Sequence, residues 1–408
     1  MDLRNTDEGT HKSLEQPLNS SLSLVRRKLV LRDTLTFLTL SLVVVALYAV
    51  TSFLFRSFEA HREALAVRWA SRGEVLLKNG KPDQAVSALR TSLSFAPDDR
   101  PRQMLLAAAL AESNRIDEAS NYFLNLWESQ PGDGFINLQL ARLARRKANT
   151  SQAIDYYRAA IFGSWPGDAI TRRRDARLEL SDFLIQTGDL ASARAELLVA
   201  ARNAPETLDM DIGFGDRLLQ AHDPSDALFY YQKGIARDPR NLTALGKAAQ
   251  LTYDTGQYAL ASSLAFRAAR LEPATVAEES TRTALKTIAA NSERLLDLSL
   301  ERDLSPRKRT EHLLTASSIA RKRIESCIAA NTGNQTTVPP ELISLKNSWT
   351  EASSKLTRRT LEEDEVTQNR LTQLIDDTEI QTAPVCGPPT GDDALLLLLA
   401  NRRHTAAQ

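Results

Sequence analysis

Between Ala66 and Pro273 apolar residues recur three and four apart in short blocks, and turns rich in glycine, asparagine or aspartate separate the blocks. Blocks of this kind predict a succession of short amphipathic helices. The blocks also repeat. Alanine returns at Ala85, Ala119, Ala153, Ala193, Ala227 and Ala261, at spacings of 34, 34, 40, 34 and 34 residues. Four positions after these stand Leu89, Phe123, Tyr157, Leu197, Tyr231 and Ala265, and each copy carries a further small residue at Gly73, Ala107, Ala141, Ser181, Gly215 or Ala249. A proline series, Pro97, Pro131, Pro205, Pro239 and Pro273, follows the alanines by twelve residues. Only the third copy breaks it, with Trp165 in the slot and Pro166 beside it.

Two short antiparallel helices cannot bury their apolar stripes alone, so each pair must lean on the next. Alanine at the crossing allows close approach, the larger residue four places on fills the groove, and proline stops the second helix. The pattern resembles the tetratricopeptide repeat family, with Trp69 in the family's tryptophan slot, and the resemblance covers about half of the chain. It implies a right-handed superhelical solenoid of about six helix pairs over 66–275, and the flanking segments complete an all-α expectation, with a single transmembrane helix before the repeats and a helical C-terminal cap over 276–408 after them. Six residues are inserted after the third copy, which predicts an enlarged loop from Gly163 to Arg173. Trp165 in that loop serves either as packing between repeats three and four or as an exposed aromatic.

The transmembrane expectation comes from the run Leu35 to Leu54, which holds no charged residue. Twenty helical residues rise about 30 Å, the thickness of a bilayer core. Residues 1–34 read as a disordered polar tail with a basic flank at Arg26, Arg27, Lys28 and Arg32, residues 35–55 as the span, and 56–65 as a helical stalk. The length of the run and the absence of a clean small-residue cleavage site favour an anchor over a removed signal peptide. Four basic residues before the span against Arg56, Arg62 and Arg68 after it favour a cytoplasmic N-terminus. The architecture is similar to that of membrane-anchored bacterial envelope proteins with one N-terminal span, which implies an inner-membrane location with periplasmic repeats.

Beyond Pro273 the repeat phase is lost. Helices are predicted over 276–297 and 309–329, the second with Leu313, Ala316, Ala320, Ile324 and Cys327 on one face. Leu342, Leu345, Trp349, Ala352 and Leu356 mark another helix, and the charged stretch 361–377 a further one. Pro384 to Gly391 reads as a rigid non-helical segment, and Ala394 to Ala400 as a short buried helix that pins the C-terminus to the cap.

Composition narrows function mainly by exclusion. Lysine plus arginine equals aspartate plus glutamate at 51 each, which argues against a dedicated nucleic-acid binder. Two cysteines rule out a thiolate metal cluster, and no phosphate loop, zinc-protease helix or nucleophile elbow occurs. Neither a catalytic nor a cofactor role is expected. In the repeat family the first helix of each pair lines a concave groove, and the equivalent positions here include Arg142, Arg145, Arg146, Asp182, Asp216, Tyr253 and Asp254. The resemblance therefore implies a groove that is basic at its middle and acidic towards its C-terminal half, suited to a protein or peptide partner of complementary charge. The alternative is that these residues are the wet side of amphipathic helices, paired across repeats, as Arg142 with Asp182. The expected function is a non-enzymatic, membrane-anchored scaffold or adaptor, or else a structural subunit of a larger membrane complex. The sequence leaves the oligomeric state open. Cys327 and Cys386 would join in an oxidising compartment; otherwise Cys327 is a small core residue and Cys386 a surface thiol.

Overall fold

Six chain reversals share one backbone geometry. Gly80, Asn114, Ala148, Gly188, His222 and Gly256 all adopt positive φ, between 56° and 87°, and they recur with the spacing of the alanines. At each reversal the next residue's N–H closes back onto the carbonyl five residues before it, as in Lys81 to Leu76, Arg115 to Leu110 and Gln257 to Thr252. This is the Schellman helix stop, which satisfies carbonyls left open at a helix end. Helix starts are marked as regularly, by side chains such as Asp99, Asp133, Asn149, Asp189, Asp223 and Asn241 that accept from the first-turn backbone.

The computed structural model describes residues 16–273, 275–300, 304–333, 338–355 and 357–407. The chain divides into two units, Met1–Gly167 and Asp168–Gln408. The first contains α1 (Gln16–Lys78), α2 (Pro82–Phe95), α3 (Arg100–Glu112), α4 (Ile116–Ser129), α5 (Gly134–Arg146) and α6 (Thr150–Phe162). The second contains α7 (Ala169–Thr187), α8 (Leu190–Arg202), α9 (Leu208–Gln220), α10 (Pro224–Arg237), α11 (Leu242–Asp254) and α12 (Tyr258–Ala269). It continues with α13 (Val276–Leu298), α14 (Pro306–Gly333), α15 (Pro340–Lys355), α16 (Arg358–Glu363), α17 (Glu365–Cys386) and α18 (Asp392–Ala407). The fold is thus an all-α solenoid of helix pairs with a helical C-terminal region.

The repeat alanines and their larger partners form the core, each at most 1% exposed. The small residues are explained by the same contacts. A Cβ added at Gly73 would lie 2.6 Å from Leu89 Cγ, and one at Gly215 would lie 2.4 Å from Tyr231 Cε1. In these two copies the filled groove leaves the facing helix no room for a side chain.

The N-terminal helix is unbroken from Gln16 to Lys78. Residues 16–34 are therefore helical where a disordered tail was expected, because the only strong helix breaker there, Pro17, lies in the first turn where proline is tolerated; residues 1–15 lie outside the described residues. Leu35, Phe37, Tyr48 and Phe53 on the apolar run are 63–75% exposed. At the other end α1 already packs on the first repeat: Arg62 donates to the Phe95 carbonyl at 2.7 Å, and Glu63 pairs with the buried Arg102 at 2.5 Å.

The insertion after repeat three behaves differently from expectation. Asp168 caps α7 by accepting from the Thr171 N–H at 3.0 Å, so residues 169–173 extend the helix and the loop is confined to Gly163–Asp168. That loop folds back on its own repeat. Gly134 donates to Ser164 at 2.9 Å, Ser164 donates to Gly132 at 2.8 Å, and Trp165 donates to Ala160 at 2.8 Å. Trp165 is 8% exposed, and its indole occupies the space that a Cβ on Gly134 would need.

In the C-terminal region Leu313, Ala316, Ala320, Ile324 and Cys327 of α14 form one core with Leu342, Leu345 and Trp349 of α15, Leu371 and Ile375 of α17, and Leu396 and Leu399 of α18. Ala352 is half-buried, and Leu356 lies outside the described residues. The charged stretch 361–377 is not one helix, since Asp364 caps α17 and splits it from α16. Nor is Pro384 in a non-helical segment: α17 continues through it to Cys386. Proline in the last turn costs one backbone bond, and contact with α14 holds that turn in place; the chain breaks at Gly387, with φ 80°, ahead of Pro388. The terminal helix is also longer than the apolar run, spanning Asp392–Ala407.

Candidate partner-binding face

In the first unit Arg142 and Arg145 are exposed on α5. Arg146 has a structural task. Its Nη1 donates to the Ala111 carbonyl at 2.5 Å and its Nη2 to Asn114 Oδ1 at 2.9 Å, closing the end of α3 at its left-handed turn. Beside it Lys147 pairs with Asp117 at 2.8 Å. The basic centre expected from sequence therefore contains two exposed guanidinium groups and one that ties adjacent repeats together.

The acids lie in the second unit, and each has a basic partner there. Asp182 on α7 accepts two bonds from Arg217 on α9, at 2.8 and 3.3 Å. Asp216 on α9 accepts from Lys247 on α11 at 2.6 Å and from the Tyr231 hydroxyl at 2.8 Å. Burial, and then the bond to Asp216, push the Tyr231 phenol well above its ordinary range, so it remains a donor at physiological pH. These acids form a ladder from one repeat to the next, and they do not present uncompensated negative charge. Sequence reasoning missed Arg217 and Lys247 because they fall outside the family's groove positions. The available signal was opposite charge about one repeat away, at separations of 35 and 31 residues.

Tyr253 and Asp254 sit at the end of α11, where α18 covers the repeat. Arg402 donates to the carbonyls of Tyr253 at 3.1 Å and Asp254 at 2.5 Å, and its guanidinium lies 5.1 Å from the centre of the Tyr258 ring. A Cβ on Gly256 would stand 1.9 Å from Arg402 Nη1. Tyr253 also packs against the C-terminal core. The structure thus assigns Tyr253 to the cap contact, while the Asp254 carboxylate is exposed and accepts from Gln250 at 2.9 Å. No group of three or more His, Cys, Asp or Glu able to hold a metal occurs among the described residues.

Cys327 and Cys386 are brought together, with Cα atoms 5.6 Å apart, inside the range for a disulfide. Asn331 donates to Cys386 Sγ at 3.3 Å.

Stacked helix pairs with small residues at the crossings define a helical scaffold of the kind used for protein interaction. Residues 76–143 match one tetratricopeptide repeat model, and residues 138–206 and 212–275 match a second. Just under half of the chain is thus similar to tetratricopeptide repeats. No curated protein matches it. Among solved structures, Pseudomonas aeruginosa PilF is 16% identical over 55% of this chain and 99% of its own, with a TM-score of 0.38. PilW, described as a widely conserved type IV pilus biogenesis factor, is 15% identical over 53% of this chain and 97% of its own, with a TM-score of 0.39. The C-terminal part of a repeat protein from Cytophaga hutchinsonii is 14% identical over 60% of this chain and 92% of its own, with a TM-score of 0.44.

Proposed function

We propose that the protein is a single-pass, membrane-anchored adaptor of the bacterial envelope, with its N-terminus in the cytoplasm, that holds protein partners on its repeats. The observation that carries the reading is α1. One helix joins an exposed, charge-free apolar run to the first repeat without a break, and so large an exposed apolar surface requires a bilayer around it. The repeats then stand close to the membrane on a stiff stalk. Arg142 and Arg145 are the partner-binding groups we assign, because both are exposed on α5 at positions that line the groove in the repeat family. Outward display would place Cys327 and Cys386 in an oxidising compartment, where their placement favours a disulfide.

Protease added to spheroplasts tests the anchor and its direction: the repeats should be digested and the segment before the span protected, and the reverse pattern would overturn the orientation. A double reversal, Arg142→Glu with Arg145→Glu, should weaken partner capture with no change in melting, and capture should fall as salt rises. The alternative, a fixed subunit of a larger membrane complex, draws on exposed aromatics of the second helices, Phe229 at 54% and Phe266 at 52%. It expects co-purification that resists high salt and ignores the arginine reversals.

A further inference from the structure

A long groove runs between α15 and α17, beyond the repeats in the chain. The two helices are antiparallel: Leu342 and Leu345 at the start of α15 line it together with Pro384 and Val385 at the end of α17, and Ala352 lines it with Thr367 and Arg370. It consists of two hollows of about 360 and 750 Å³, and both are lined by Ser348 and Asp377. The sixteen residues of α15 give it a length of about 24 Å, enough for about four turns of a helix. Its floor is apolar, with Leu371 at 3% and Leu345 at 7% exposure.

Asp377 stands where the hollows meet. The neighbouring Asp376 has its own guanidinium, accepting two bonds from Arg403 at 2.9 and 2.6 Å. Asp377 has no hydrogen bond or ion pair among the described residues, and burial followed by the charge of Asp376 pushes its carboxyl upward, against a small opposing effect of His404. A half-buried carboxylate beside an apolar floor is stabilised by a cation brought in on a docking segment. The other charges there are Glu341, Glu351 and Arg370, so the lining is acidic on balance.

We propose that the groove between α15 and α17 docks an amphipathic helix of a partner protein, with a lysine or arginine at its centre seated on Asp377. The apolar face of such a helix fills both hollows, and its central cation supplies the bond that Asp377 lacks.

The test places a photo-crosslinking amino acid at Ser348 in the full chain in its native membrane, and identifies the crosslinked peptide by mass spectrometry. The expected product is a helical segment of another protein with a central basic residue. Asp377→Asn, which keeps shape and removes charge, should cut the crosslink by about tenfold, and Asp377→Arg should abolish it. Changing the partner's basic residue to aspartate should restore crosslinking to Asp377→Arg. The Arg142→Glu, Arg145→Glu double variant should leave the Ser348 product unchanged, so failure of the repeat face and failure of this groove are told apart. A product confined to lipid or to a second copy of this chain, or a yield indifferent to Asp377→Asn, would overturn the proposal.

Discussion

Glu379 is fully buried on α17, and neither of its carboxyl oxygens has a hydrogen-bond partner among the described residues. Arg323 on α14, whose charge favours the ionised carboxyl, donates its Nη2 to the Gly387 carbonyl at 2.7 Å, while Asp393 on α18 and Asp376 add negative charge. Burial first, then the charge of Asp393, push the carboxyl from its ordinary 4.5 to about 8. The sign follows directly. Between those two values the folded protein keeps a proton that the unfolded chain has released, so stability falls as pH rises. The contribution is fully present below 4.5 and lost by about 8, at about 1.4 kcal/mol per pH unit, or on the order of 5 kcal/mol in all. Glu379→Gln supplies a permanent neutral analogue. Urea unfolding of the full detergent-solubilised chain, followed through the ¹⁹F signal of fluorotryptophan at Trp349, reads the stability of the C-terminal region where that residue is buried. The variant should gain on the parent steadily from pH 5 to 8 and run parallel to it above. If the two pH curves are superimposable, Glu379 is solvated or ion-paired in solution and the reasoning fails.

Gly215→Ala should destabilise the second unit by about 1–3 kcal/mol in urea unfolding, because its Cβ drives into the Tyr231 ring; Gly213→Ala, with nothing closer than 3.5 Å, should instead stabilise it by about 0.5–1 kcal/mol through helix propensity. Ala148 holds a φ of 56°, so Ala148→Gly should stabilise the first unit by about 0.5–1 kcal/mol, with strain relief exceeding glycine's entropy cost. Non-reducing peptide mapping after thiol blocking should find Cys327 linked to Cys386 in the exported protein. Closing a 59-residue separation gives about 4 kcal/mol in the chain-entropy estimate, and two separately alkylated cysteines would refute the pairing.

Periodicity made the solenoid legible because each repeat solves the same packing problem with residues close in sequence. Ala85 and Leu89 lie one helical turn apart, and Gly73, which meets Leu89, lies within the same copy. Whatever depended on distant neighbours was harder to read. Pro384 argues locally against a helix, yet packing against α14 carries α17 two residues past it. The cap contact at Tyr253 comes from Arg402, 149 residues away, and no local pattern announces it.

The candidate face shows the same division in electrostatic form. A charge at a groove position in sequence is only half of a statement, since its meaning depends on what the next repeat sets opposite. Asp182 and Asp216 are spent on Arg217 and Lys247, and Arg146 on the carbonyl of Ala111. In the proposed reading recognition falls to Arg142 and Arg145, which are exposed on α5, and to Asp377, a residue that repeat logic had no means of selecting because it lies where the repeat pattern has ended.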